Sequence, residues 1–220
     1  MDRKIISRRI ADIQDNLSRL NSNVCAMDSP DIQRYPENYE TMSTEATLRA
    51  EGIACQLRSL LYASTNISKQ EFLLKVAEVH GIEISYEEGI LEITLPRLLP
   101  KKKSRRSSLF LIDPLNAALG KYVEENSLPR FRECVVCVSH VYDHEMADWC
   151  MLDYDNMQQK QLLDIVALYV MEDDSGLLCD AYNTTELGEK SCTRISIMEK
   201  NRFPEWLQSR EEQLKSISDF

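Results

Sequence analysis

The chain has 220 residues, 43% of them apolar, which is enough for one domain with a real core plus an appendage, and six Gly with seven Pro exclude low complexity. An excess of 36 acidic over 26 basic residues gives −10, which argues against a protein that coats nucleic acid indiscriminately. There is no apolar run of 18, and charge alternates with Ile and Leu over the first twenty positions. No membrane association or secretory signal is therefore expected, and the seven Cys read as reduced thiols of a cytoplasmic protein.

Ile6, Ile10, Ile13, Leu17 and Leu20 follow a four-three spacing, the seam of a helix that packs beside the rest of the chain or supports dimerisation. Pro30, Pro36 and several Asn, Asp and Ser predict a loop over residues 21–42. A second helix is expected through Ala46, Ala50, Ile53, Leu57 and Leu61. Ser68-Lys69-Gln70-Glu71 is a capping box for a third, with Gly81 as its stop. Residues 1–81 are thus predicted to be a helical N-terminal extension.

From residue 82 the period changes. Ile82, Ile84 and Tyr86 alternate, Glu87-Glu88-Gly89 turns, and Leu91, Ile93 and Leu95 alternate again, which predicts a hairpin. Residues 97–106 carry Arg97, Lys101, Lys102, Lys103, Arg105 and Arg106 without an acid, a pattern suited to phosphate contacts or to a solvated loop. Asp113-Pro114 predicts the start of a helix over 115–126. Cys134 to Tyr142 reads as a central strand, 157–170 as a helix, and 177–183 and 192–198 as strands around a turn at Gly188. Pro204 opens a last helix with Trp206 and Leu207. The whole predicts an α/β (α+β) domain over 82–220 with a mixed sheet and packed helices.

Cys134 and Cys137 form a lone CxxC. Their spacing on a strand places them on opposite faces, so buried thiols are expected rather than a zinc pair. His140 and His144 fall near the acidic stretch that follows; His144 is a possible proton-transfer group or a plain loop residue.

That stretch concentrates charge. Nine acids lie between Asp143 and Asp174, with Lys160 the single Lys or Arg among them. In Asp153-Tyr154-Asp155-Asn156 two carboxylates would share one side of an extended segment. Asp173-Asp174 returns after a helix, and hard cations such as Mg²⁺ favour clustered oxygen ligands of this kind. Two plainer readings stay open: Asp155 or Asn156 capping the helix, and Asp173-Asp174 as a surface turn.

The run DYDNMQQKQLLDIVALYVMEDDS, residues 153–175, resembles the RusA-like crossover-junction (Holliday junction) endonucleases, and weaker likeness extends over residues 90–200. The resemblance implies a RusA-like fold, a homodimer, and Mg²⁺- or Mn²⁺-dependent cleavage of branched DNA. It places Asp153, Asp155 and Asp174 at the metal-binding acids, with Asp173 as an alternate ligand. The family's helix Lys stands three residues after the Asn. Here Gln159 holds that place and Lys160, the expected phosphate-steadying residue, comes one later. Lys101, Lys102, Lys103, Arg105 and Arg106 would contact DNA. The alternative is a catalytically inactive RusA-like accessory protein of a bacterial mobile element, binding DNA or protein.

Overall fold

The computed structural model describes residues 3–28, 34–99, 109–145, 151, 153–154, 157 and 159–218. The chain divides into two compact units at Lys69/Gln70, so the third helix groups with the sheet and not with the two helices before it.

The first unit is a hairpin of α1 (Arg3–Met27) and α2 (Pro36–Ser64). The loop expected over 21–42 is much shorter, because both helices extend into it. Pro36 stands at the first position of α2, where its missing N–H costs nothing and its fixed φ suits a helix. Among the described residues Ile13, Ala46 and Ile53 are the hairpin's buried apolar side chains, and Asn16 Nδ2 donates to Gln56 Oε1 at 3.3 Å across the pair.

The second unit opens with α3 (Lys69–His80), which begins directly after Ser68, as the capping box requires. Its end is a Schellman closure. Gly81 takes φ +72°, its N–H donates to the Glu78 carbonyl, and the Ile82 N–H donates to the Ala77 carbonyl, both at 3.0 Å. The strands β1 (Glu83–Glu87) and β2 (Ile90–Leu95) pair antiparallel with Glu87 opposite Ile90. Both residues of the connecting turn are left-handed, Glu88 at φ 52° and Gly89 at φ 80°, the mirror-image turn that matches strand twist. Gly suits this conformation and Glu does not. Glu88→Asn is therefore expected to raise stability by about 0.5–1 kcal/mol, read as a higher urea midpoint at unchanged slope.

Helix α4 (Leu109–Asn126) begins six residues ahead of the predicted 115 and encloses Pro114. Asp113 is thus not its cap. Burial of Leu111, Leu115 and Leu119 on one stripe outweighs the single backbone hydrogen bond that Pro114 removes. Strand β3 (Cys134–Asp143) is central, α5 (Lys160–Val170) follows after a connection, and β4 (Cys179–Gly188) returns parallel to β3. Strand β5 (Cys192–Glu199) lies antiparallel between β2 and β3, giving the mixed order β1-β2-β5-β3-β4. The link from β4 to β5 arches over the end of β3. There the Asp143 N–H donates to Ser191 Oγ and the His144 N–H to the Gly188 carbonyl, each at 3.0 Å. Helix α6 (Phe203–Ser218) closes the unit, with Pro204 in its first turn.

The sheet is covered on both faces. Val136, Val138, Leu91, Ile93, Ile195 and Ile197 pack with α4 and α5 residues, while Val135, Cys137 and Met198 pack under Phe203 and Trp206 of α6. Cys134 belongs to the first cluster and Cys137 to the second, as period-two alternation requires. Burial pushes both thiols up to about 12, so both are protonated at neutral pH. Gly120 lets α4 approach α5: a Cβ there would stand 3.0 Å from the Tyr169 hydroxyl. None of the described helices is long and apolar enough to cross a membrane.

Candidate active-site cleft

The parallel β3–α5–β4 unit leaves a cleft of about 530 Å³ along α5, beside the edge strand β4. Its walls carry Lys160, Asp164 and Leu163 from α5, Cys179, Ala181 and Asn183 from β4, and Tyr154, Met157, Gln159 and Asp174 from the connections. Odd-numbered residues of β4 face α5, which is why 179, 181 and 183 line the cleft and Tyr182 packs against α6.

One end is a built polar cluster. His140 is fully buried on β3, and Gln159 Nε2 lies 3.0 Å from its Nε2 and 2.7 Å from Asn183 Oδ1. An amide nitrogen only donates, so the neutral imidazole keeps its proton on Nδ1, which is buried without a partner among the described residues. The Tyr154 ring stacks on His140 at 5.5 Å between centroids, and its hydroxyl shares a 2.9 Å hydrogen bond with Thr185. Gln159 stands at the N-cap position of α5 yet makes no capping bond, since its amide is turned inward. Neither Asp155 nor Asn156 occupies that cap position.

Burial pushes His140 below its ordinary value near 6.5, with Asn183 beside the ring opposing in part. A histidine depressed in the folded state is protonated first in the unfolded chain, so stability is full above about pH 6.5 and falls as the pH drops through it. His140→Gln is expected to flatten this acid limb in denaturation measured from pH 7.5 down to pH 5. An unchanged limb would assign it to other groups.

The residues singled out from the sequence separate in space. Lys160 is the exposed first residue of α5 and stands near the His140 end. Asp174 borders the opposite end, where the adjacent Ser175 carbonyl accepts the Cys179 N–H at 2.9 Å. Burial pushes the Cys179 thiol up, and Asp174 adds to the rise. Tyr154, next to Asp153, is tied to Thr185, six strand residues from Cys179, a rise of about 20 Å. Asp153 is exposed and is not among the described lining residues; Asp173 is exposed in the turn before β4. The Met157 N–H donates to the Tyr154 carbonyl at 3.3 Å, and the pairing expected of Asp153 with Asp155 lies outside the described residues. Asp155 itself, and Lys101, Lys102, Lys103, Arg105 and Arg106, lie outside the described residues. His144 is exposed and its Nδ1 donates to the Gly188 carbonyl at 3.1 Å, off the cleft.

Asp164, Asp174 and Asn183 are oxygen donors of the class Mg²⁺ accepts, but among the described residues no group of three His, Cys, Asp or Glu converges. The residues that sequence reasoning left without a role are Gln159, Asn183, Tyr154 and Asp164. Gln159 carried a signal, standing where the RusA-like pattern has Lys. Asn183 carried none, being one polar residue on an otherwise ordinary strand.

The fold and cleft thus define a two-unit α+β protein with a helical hairpin ahead of a five-stranded mixed sheet. Residues 2–220 match DUF6100, described as a family of unknown function, and the chain belongs to that family. No curated protein matches it.

Proposed function

We propose that the protein is a metal-dependent endonuclease acting on branched DNA through the α5–β4 cleft. The supporting observation is that Lys160, Asp164 and Asp174, drawn from the start, middle and far side of α5, all open onto one groove. The β4 residues that line the groove, Cys179 to Asn183, span about 13 Å, room for a short run of phosphates of one strand. Lys160 at one end would attract the strand's phosphates as a point charge. The amides of Gln159 and Asn183, held in place by His140, offer hydrogen-bonding groups to sugar or base. Asp164 and Asp174, the acids on the cleft walls, would hold Mg²⁺ or Mn²⁺, which when bound polarises a phosphate and acidifies water.

A second reading, a DNA- or protein-binding accessory protein without cleavage, is favoured by the distance between the Tyr154 and Asp174 ends of the cleft. The discriminating experiment incubates a labelled four-way junction with Mg²⁺ or Mn²⁺, comparing the native chain with Asp174→Asn. Metal-dependent paired nicking lost in the variant supports the nuclease. Binding without nicking in both selects the accessory reading, and absence of both activities rejects the assignment to branched DNA.

A further inference from the structure

Packing of its two helices on each other leaves part of the hairpin's own apolar surface uncovered. Of the α1 seam, Ile13 is buried and Ile6 and Leu20 are half-buried, but Ile10, Leu17 and Val24 are 41%, 47% and 51% exposed. These three recur every seven residues and form a continuous stripe about 21 Å long. On α2, Leu57 is 49% exposed. Winding both helices at 100° per residue from Ile13 and Ile53, each buried on the side toward the other helix, puts the Ile10–Leu17–Val24 row and the row of Ala50, Leu57 and Leu61 on the same side. The hairpin is therefore a two-helix layer whose continuous exposed apolar stripe lies on this side, with Ile5 and Leu48 standing singly on the other. The grooves that Asn16 and Asp12 form with α2 lie on the other side.

Charge along the layer is polarised. By the same winding Arg3 of α1 and Arg58 of α2 flank the apolar side at the tip, whereas Arg8 and Arg9 fall on the other side. The antiparallel partner has no acid from residue 52 to its end and carries Arg58. At the loop end exposed Asp28 and Glu40 flank that side, while Glu37 and Glu45 fall on the other and exposed Arg34 stands between the helices. A second copy placed on the apolar side by a twofold axis perpendicular to the helices sets each basic tip against the other copy's acidic end. It also sets Ile10 opposite Val24, with Leu17 near the axis. The parallel alternative sets like charge on like. Helices of 25 and 29 residues are long enough to bury the ~800 Å² per partner that a stable interface needs.

The geometry points to this face as the interface of a homodimer, an antiparallel four-helix bundle formed by the hairpins of two chains. The contact is isologous, each chain giving the same patch. This inference is independent of any chemistry in the cleft.

Light scattering on the full chain reads it directly. The expected mass is twice the 25.4 kDa of one chain at tens of micromolar, with Leu17→Glu monomeric and its helical circular dichroism retained. Arg3→Glu with Arg58→Glu should weaken dimerisation roughly tenfold at low salt, and adding Asp28→Lys and Glu40→Lys in the same chain should restore it. A native chain that is monomeric, or a dimer that survives both Leu17→Glu and Leu57→Glu, would overturn the interface. A dimer lost in Leu17→Glu but indifferent to the charge exchange would overturn the antiparallel arrangement.

Discussion

Asp174→Asn is expected to lower metal-dependent cleavage of a four-way junction on the order of a hundredfold or more, while junction affinity changes little. The substitution keeps size and one oxygen acceptor but removes the charge that a divalent cation needs. Asp174 is exposed at one end of the cleft and no described hydrogen bond depends on it, so the fold should be undisturbed. Asp173→Asn, one residue away and off the described lining, is the matched control and should cut at near-native rate. Equal rates for both variants and the native chain would remove Asp174 from the chemistry. Equal losses would indicate a general effect of acidic charge on the turn before β4. Activity restored to Asp174→Asn by a softer metal such as Mn²⁺ would place the loss at metal binding.

Glu186→Ala is expected to cost about 3–5 kcal/mol, roughly 10 °C or more in Tm for a chain of this size. Glu186 lies on the α6 face of β4, its side chain only 10% exposed. One carboxylate oxygen accepts from Arg210 Nε at 2.9 Å and the other from Arg194 Nη2 at 3.2 Å. Arg210, 13% exposed, also donates to the Thr184 hydroxyl. Removing the acid leaves a buried guanidinium with a neutral hydroxyl as its described partner, and that uncompensated charge is the larger penalty. Arg210→Ala should cost less, because Glu186 keeps Arg194, itself half-exposed and solvated. The double change Glu186→Leu with Arg210→Met should recover most of the loss, since both charges then leave together. Urea denaturation of the three variants separates these cases. A loss below 1 kcal/mol for Glu186→Ala would mean that water reaches Arg210.

Much of the fold could be read locally. The β1–β2 hairpin follows from period-two alternation around Glu-Glu-Gly, and the opposite burial of Cys134 and Cys137 follows from three steps along a strand. Ser68 and Gly81 bracket α3 through backbone rules that act within six residues. Helix starts at Pro36 and Leu109 were less legible, because a proline marks a break or a first turn depending on what its helix buries.

The candidate site belongs to the other kind of information. Gln159 reaches His140 across 19 residues and Asn183 across 24, and only the parallel return of β4 beside β3 makes them neighbours. The acids of residues 153–174 read as one cluster because they are close in sequence. Yet an 11-residue α5 spans about 16 Å, and it carries Asp174 to the far end of the cleft from Tyr154. Likewise the heptad spacing of α1 announces two apolar rows, but the packing of α2 determines which is covered. Sequence alone determined the periodicities, caps and turns, which are set by sterics and hydrogen bonds between near neighbours. Tertiary structure decided which polar groups meet, because that depends on strand order and helix length, to which no local pattern responds.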